Sequence, residues 1–151
     1  MEDEVYMQLA LEEARRAASL GEVPIGAAVV HEGEVIARAC NMRETHKDPA
    51  GHAEFLAIEA ASRTLDAWRL SGCSVYVTLE PCLMCAGLMY QARIARCVYG
   101  AYDPKAGALH SLYQVNADTR LNHVFEAQGG VLEDECAQLL RDFFRARRKK
   151  K

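Results

Sequence analysis

The sequence predicts an α/β protein of three layers, α/β/α, in which a five-stranded mixed sheet is covered by helices. Three observations predict it. Short β-rich runs alternate with helical segments once an initial hairpin has passed. The residues best suited to hold a metal stand at two helix starts, each preceded by a strand or by a loop leaving one, which is where open α/β sheets place their ligands. The 151 residues, half of them apolar, suffice for one substantial core. The chain is therefore expected to form a single domain over 1–151, ending in a basic helix terminus at 141–151.

Residues 3–20 read as a helix, because Val5, Leu9, Ala10, Ala14 and Ala17 recur at helical spacing, Glu12 and Arg16 pair four apart, and Gly21 is a fitting stop. Pro24-Ile25-Gly26 leads into an apolar strand over 25–30. The turn His31-Glu32-Gly33-Glu34 folds it back onto a second strand over 35–40. Residues 41–51 are polar, punctuated by Pro49 and Gly51, and form a loop. Asp48 and Pro49 are the residue types of an N-cap and a first helical position, so a helix is expected from there to about Leu65, with His52 and Glu54 in its first turns. The run from Ser74 to Leu79 is the third strand and passes through Glu80 and Pro81 into a helix over 82–93, Pro81 suiting the first helical positions. A fourth strand spans 97–100, and the weakly patterned 103–122 is expected to mix loop with one short helix. A fifth strand is placed at 123–127, Gly129-Gly130 makes a turn, and the last helix covers 131–147 with Val131, Cys136, Leu139, Leu140, Phe143 and Phe144 inward.

Composition narrows the class. No apolar run is long enough to span a bilayer, and the acidic start Met1-Glu2-Asp3-Glu4 is unlike a secretion signal, so a cytoplasmic location is expected. Six cysteines at irregular spacing then argue for metal binding or free thiols rather than a disulfide framework, with Cys40, Cys73, Cys97 and Cys136 as small buried apolar residues. The net charge of −3 is unevenly spread: residues 141–151 carry seven basic residues against Asp142 alone, which leaves the remainder at −9. A basic end on an acidic body points to nucleic acid.

Chemistry concentrates in two motifs, His52-Ala53-Glu54 and Pro81-Cys82-Leu83-Met84-Cys85. Together they read as H-x-E…P-C-x-x-C, the pattern of zinc-dependent nucleobase deaminases. An imidazole and two thiolates have the softness Zn²⁺ prefers, and three protein ligands leave the fourth tetrahedral position open, which marks a catalytic rather than a structural site. Two thiolates and a neutral imidazole offset the charge of the ion, so a carboxylate nearby is useful to take a proton. Glu54, two residues from His52 and on another helical azimuth, is that carboxylate. Cys82 and Cys85 share one face of a helix start, where the helix dipole favours thiolate. A lone Cys-x-x-Cys would also suit a redox pair and a lone histidine a packed core position, but both halves standing at helix starts favour the metal.

These motifs resemble the cytidine-deaminase-like superfamily, and within it the bacterial tRNA-specific adenosine deaminases, which convert adenosine to inosine at the wobble position. The resemblance runs nearly the whole chain, through Glu22-Val23-Pro24-Ile25-Gly26-Ala27, Asp48-Pro49, Tyr76-Val77-Thr78-Leu79-Glu80-Pro81-Cys82, Met84-Cys85-Ala86-Gly87 and Asp142-Phe143-Phe144-Arg145. It implies one Zn²⁺ per chain held by His52, Cys82 and Cys85, and Glu54 as the proton shuttle of a hydrolytic attack on adenine C6. It further implies substrate contacts from the Asn41 amide, the Ala53 backbone N–H and Asp103, a homodimer, and a tRNA anticodon stem-loop bound across both subunits. Phe144, beside the basic run, is placed to stack on an unpaired anticodon base. From residue types alone, Asn41 and Asp103-Pro104 read as turn formers. The chain departs from the family at Gly51, where alanine is common, and at Leu109-His110, where small residues are. Two other functions remain open: a small-molecule deaminase acting on free guanine, cytosine or a nucleoside, and a zinc-stabilised binding protein without turnover.

Overall fold

The computed structural model describes residues 2–149. Helix α1 (Glu2–Ser19) leads into strands β1 (Gly26–His31) and β2 (Glu34–Cys40), followed by α2 (Ala53–Leu65), β3 (Cys73–Leu79), α3 (Leu83–Ala92), β4 (Arg96–Ala101), β5 (Glu126–Gln128) and α4 (Glu133–Lys149). The five strands form one sheet in the order β2-β1-β3-β4-β5. Strand β1 runs antiparallel to both β2 and β3, whereas β3, β4 and β5 are parallel, so the sheet is mixed as the sequence predicts. The β1–β2 turn is made by Glu32 (φ 52°) and Gly33 (φ 78°), two left-handed residues whose twist suits a two-residue hairpin.

Strand alternation sorts side chains into two core layers. Val75 and Val77 of β3 and Cys97 and Tyr99 of β4 face one way and pack with Ala57, Ile58 and Ala61 of α2 and Met89 of α3. Tyr76 and Val98 face the other way and pack with Met7, Ala10 and Leu11 of α1 and Cys136 of α4. Helices α2 and α3 therefore cover one face, α1 and α4 the other, which is the three-layer arrangement.

Several element ends differ from the sequence reading. Helix α2 starts at Ala53, because Asp48 accepts a hydrogen bond from Ala50 N–H (2.9 Å) and closes a turn instead of capping a helix at Pro49. Pro81 precedes the N-cap Cys82 rather than lying inside α3. Strand β5 begins at Glu126, since the Phe125 N–H donates to Asn116 C=O (3.0 Å) rather than to the ladder. The stripe that α1 buries is Met7, Ala10, Leu11, Ala14 and Ala17, which leaves Val5 in solvent. On α4 only Cys136 is fully buried; Phe143 is half-buried, and Phe144 is exposed rather than inward. Of the basic run, Arg147, Arg148 and Lys149 form the last turn of α4, while Lys150 and Lys151 lie outside the described residues.

Strand register decides which chain segments meet. Gly26 pairs with Cys40, Ala27 with Val77, and Leu79 with Ala101. The start of β1 and the ends of β2, β3 and β4 thus come together at one edge of the sheet, and the segments leaving them are Asn41 onward, Glu80 onward and Tyr102 onward. That edge depends on a close approach: a Cβ on Gly26 would run into the Ala10 C=O, the Ala14 N–H and the Glu13 side chain of α1. Backbone atoms of a packed helix cannot move aside, so Gly26→Ala should destabilise the protein by about 2–3 kcal/mol, measured by denaturant unfolding. An unchanged midpoint would show that α1 is free to shift.

Candidate active site

Two helices begin at this edge, and each begins without an ordinary cap. The N-cap of α2 is His52 and that of α3 is Cys82, both in extended backbone, and neither makes a side-chain capping bond. A Ser, Asp or Asn there would satisfy a first-turn N–H and contribute about 1 kcal/mol. Both side chains instead turn toward each other and leave first-turn N–H groups, Ala53 among them, at the edge of the site.

The three sequence-predicted metal ligands are brought together. The His52 Nδ1 lies 3.7 Å from the Cys82 Sγ and 3.5 Å from the Cys85 Sγ, and the three donor atoms lie within 4.8 Å of one another. A tetrahedral zinc with bonds of about 2.0–2.3 Å holds its ligand atoms about 3.5–3.8 Å apart, so the donor set fits the ion in type and spacing. All six cysteines are free thiols. The hydrogen bond from Cys85 lowers the Cys82 thiol to about 3 against the effect of burial, while that same bond and burial push Cys85 up. The pair thus shares one negative charge, and a doubly charged cation would draw off the second proton. Cys85 is fully buried behind the site.

Glu54 occupies the first turn of α2 and is 4% exposed. Burial raises its carboxyl to about 7, against the pull of its own backbone N–H and of His52. A carboxyl poised near neutrality accepts and returns a proton with little cost in either direction.

These groups form the floor of a cavity of about 190 Å³, lined by His52, Ala53, Glu54 and Cys82 with Asn41 and Asp103 at its rims. Six of the eight residues singled out in the sequence meet there. Asn41 is buried; its Nδ2 donates to Val23 C=O (3.3 Å) and its Oδ1 accepts from Arg43 N–H (3.2 Å), which leaves one N–H and one lone pair uncommitted. The Asp103 Oδ1 accepts from the N–H groups of Lys105 (3.1 Å) and Ala106 (3.2 Å), so Oδ2 is the oxygen left for a ligand. Phe144 is not among the lining residues and stands exposed on α4, with its ring edge-on to Phe143.

The sequence reading passed over three residues. Arg43 lines the cavity as its one guanidinium among the described residues. Glu22 and Glu80 are buried, at 1% and 2% exposure. Glu22 accepts from the N–H groups of Glu44 (3.3 Å) and Thr45 (2.6 Å). Glu80 accepts from the N–H groups of Asp103, Leu109, His110 and Ser111 and from the Ser111 hydroxyl. The signal that points to both is a carboxylate set in an apolar run, before Val23-Pro24-Ile25 and after Val77-Thr78-Leu79, where an ionised group must find donors.

The chain matches the MafB19-like deaminase family over residues 1–148. It is 50% identical to the tRNA-specific adenosine deaminase of Bacillus subtilis (strain 168) over 150 residues, covering 99% of this chain and 93% of that protein. A solved structure from a study of A-to-I editing by tRNA:A34 deaminases at the wobble position of transfer RNA is 44% identical, with a TM-score of 0.86 over 89% of this chain and 98% of its own. A guanine deaminase from Nitrosomonas europaea is 25% identical, with a TM-score of 0.81 over 93% of this chain and 83% of its own.

The buried carboxylates also set an acid limit. Burial would raise both, but the hydrogen bonds from Thr45 and Glu44 hold Glu22, and those from Ser111, Asp103 and His110 hold Glu80, below the usual carboxyl value of 4.5. Groups with a lowered folded value contribute stability that is complete above the unfolded value and is lost as pH falls through the folded one. Unfolding free energy from denaturant titration should therefore show no loss from these two groups above about pH 5.5. It should drop below about pH 4.5, less steeply in Glu22→Gln than in the parent. Equal acid slopes in the two proteins would remove Glu22 from the account.

Proposed function

The chain belongs to the tRNA-specific adenosine deaminases, and from that membership we propose that it hydrolyses adenosine to inosine at the wobble position of tRNA, with His52, Cys82 and Cys85 holding one zinc ion and Glu54 carrying the proton. The observation that carries the reading is the meeting of three zinc-type donors with a buried carboxyl of near-neutral pKa on the floor of one cavity. When bound, zinc supplies a Lewis acid that makes a water nucleophilic near neutral pH. Glu54 would take one proton from the attacking water and deliver it to ring N1, then take the second from the new C6 hydroxyl and deliver it to the departing amine, so one carboxyl would serve twice as base and twice as acid. The water oxygen would end as the C6 carbonyl of inosine, the exocyclic C6–N6 bond would break, and ammonia would leave. The first-turn N–H groups near Ala53 and Cys82 offer dipoles to the charge that develops.

The remaining polar groups suit a nucleotide drawn out of its stack. Asn41 has an N–H and a lone pair to spare, and the uncommitted Asp103 Oδ2 suits a ribose 2′-OH, which DNA lacks. The body of the chain is acidic, so the +6 segment 141–151 is the natural place for phosphate contacts, with Phe144 exposed beside it to stack on an unpaired base of the anticodon loop. We read the whole of 1–151 as one deaminase unit and place it in the cytoplasm; no helix among the described residues is long and apolar enough to cross a membrane. A homodimer is supported by Leu83 and Met84, which α3 leaves exposed beside the site, and by Trp68, 64% exposed after α2. The basic end and the higher identity to the tRNA enzyme favour tRNA over a free purine.

Inosine or ammonia release from an adenosine-containing anticodon stem-loop, set against guanine, cytosine and free nucleosides, decides the substrate. Activity confined to guanine would overturn the reading. Glu54→Ala should retain about one zinc per chain and lose turnover by about a thousandfold, whereas Cys85→Ala should lose the metal itself. An empty site in Glu54→Ala, by metal analysis, would make Glu54 a ligand. Removing 147–151 should weaken tRNA binding and flatten its dependence on salt while zinc content and thermal midpoint stay at the parent values. Equal affinity and equal salt slope in the shortened chain would reduce the tail to a solvated helix end.

A further inference from the structure

We propose that Glu22 and Glu80 are positioning residues that hold the two rims of the nucleotide cavity in place from beneath, and so set how tightly the substrate is bound without taking part in the reaction. The inference rests on the deaminase reading for its substrate, but its structural half does not.

The cavity has two walls built from chain with little regular structure. One is the segment after β2, which carries Asn41 and Arg43; the other is the segment after β4, which carries Asp103 and Ala106. Neither belongs to a ladder that would fix it, so the inward-facing N–H groups of each must find other acceptors. In the first wall Glu44 and Thr45 donate to Glu22. In the second, Asp103, Leu109, His110 and Ser111 donate backbone N–H bonds of 3.0, 3.2, 2.8 and 2.8 Å to Glu80, and the Ser111 hydroxyl adds a fifth. The segment closes around that carboxylate so tightly that a Cβ on Gly107 would overlap it.

A carboxylate is suited to this task because it only accepts: its two oxygens offer about four lone-pair sites, and converging N–H dipoles are stronger against a charge than against a carbonyl. The position of each carboxylate is itself fixed by regular structure. Glu80 directly follows β3, its own N–H donating to Ala101 C=O (2.9 Å) at the end of β4. Glu22 follows α1, with its N–H bonded to Ala17 C=O (2.9 Å). Rigid elements thus hold two anchors, and each anchor holds the backbone of one rim. The reach to the substrate is short: the Asp103 N–H on Glu80 belongs to the residue whose carboxylate faces the cavity, and Glu22 holds Glu44 and Thr45, which follow Asn41 and Arg43 in the opposite rim. A misplacement of about 1 Å in such groups is enough to cost up to a hundredfold in effective binding geometry.

The test crosses the two anchors. Glutamine keeps the shape but turns one acceptor into a donor aimed at donors, so each substitution should loosen only its own rim. In zinc-loaded Glu80→Gln, amide hydrogen exchange should lose protection at Asp103, Leu109, His110 and Ser111 and keep it at Glu44 and Thr45; Glu22→Gln should do the reverse. In both, KM for the anticodon stem-loop should rise by about tenfold while kcat stays within about threefold and zinc remains at one per chain. If Glu80→Gln does not fold, Ser111→Ala, which removes one donor and spares the four N–H bonds, should shift KM in the same direction by a smaller factor. Loss of protection in both rims from either substitution would mean general destabilisation and would overturn the proposal. So would lost protection with an unchanged KM, or a fall in kcat alone. A parent protein inactive on the stem-loop would strike the deaminase reading instead, and the crossed protection pattern would still decide the anchoring.

Discussion

Two helix N-termini that face one another across a sheet edge are the constraint on which the rest of this structure depends. His52 is the N-cap of α2 and Cys82 that of α3, and both cap residues aim their side chains at a common point rather than at their own helices. Capping bonds worth about 1 kcal/mol each are forgone, and a trio of donors with zinc spacing is gained. The same geometry turns first-turn N–H groups and two positive dipole ends toward the cavity, a setting that favours thiolate at Cys82 and negative charge in whatever reacts there. That Glu54 stays near neutrality in such a field results from its complete burial, which outweighs every attraction around it.

The sheet supplies the positions and the loops supply the walls. Because β1 is antiparallel to β3 while β4 is parallel to it, one edge gathers the beginning of one strand and the ends of three. Segments leaving that edge have no ladder to continue, and the molecule resolves the problem with buried charge. Glu22 and Glu80 cost desolvation energy that only several converging N–H donors offset, so each is a point where the fold tolerates one arrangement of its loop and few others. Gly107 and Gly51 answer the same need for close approach: a Cβ at either would press on Glu80 or on the Arg43 backbone. A Cβ on Gly51 would also press on the Asp48 C=O, and α2 begins at the next residue but one.

Charge is divided along the chain in a way the fold uses twice. Acidic first turns on α1 and α4 and the basic last turn of α4 suit the helix dipoles. The concentration of positive charge at 141–151, against an acidic remainder, also gives the molecule one end that polyanions approach favourably. Asp3 is one acidic residue taken out of that balance: it accepts hydrogen bonds from Tyr76 (2.7 Å) and Arg96 (2.8 and 2.7 Å) and ties the start of α1 to the sheet.

Much of this was legible in residue order. Hairpin, alternating strands and helices, candidate metal ligands and the candidate proton carrier Glu54 all announce themselves through local patterns: period-two runs, turn residues, and two motifs whose residue types admit few other chemistries. Local patterns misjudged what distant contacts decide. Asp48-Pro49 has the chemistry of a helix start but closes a turn, because His52, drawn to the cysteines thirty residues on, takes the N-cap instead. Phe144 has the spacing of an inward residue, yet α4 buries only Cys136 fully and leaves that ring in solvent. The stripe on α1 keeps the predicted Ala10 and Ala14, which face Gly26 of β1, but takes Met7 and Leu11 into the core and leaves Val5 in solvent. The amino-acid sequence by itself thus determined the layers and marked the candidate donors and the candidate acid–base group, since each is carried by a local motif. Only the tertiary structure decided which glutamates are buried anchors, because a carboxylate's role depends on the donors that surround it, and those of Glu80 come from a segment 23 to 31 residues away.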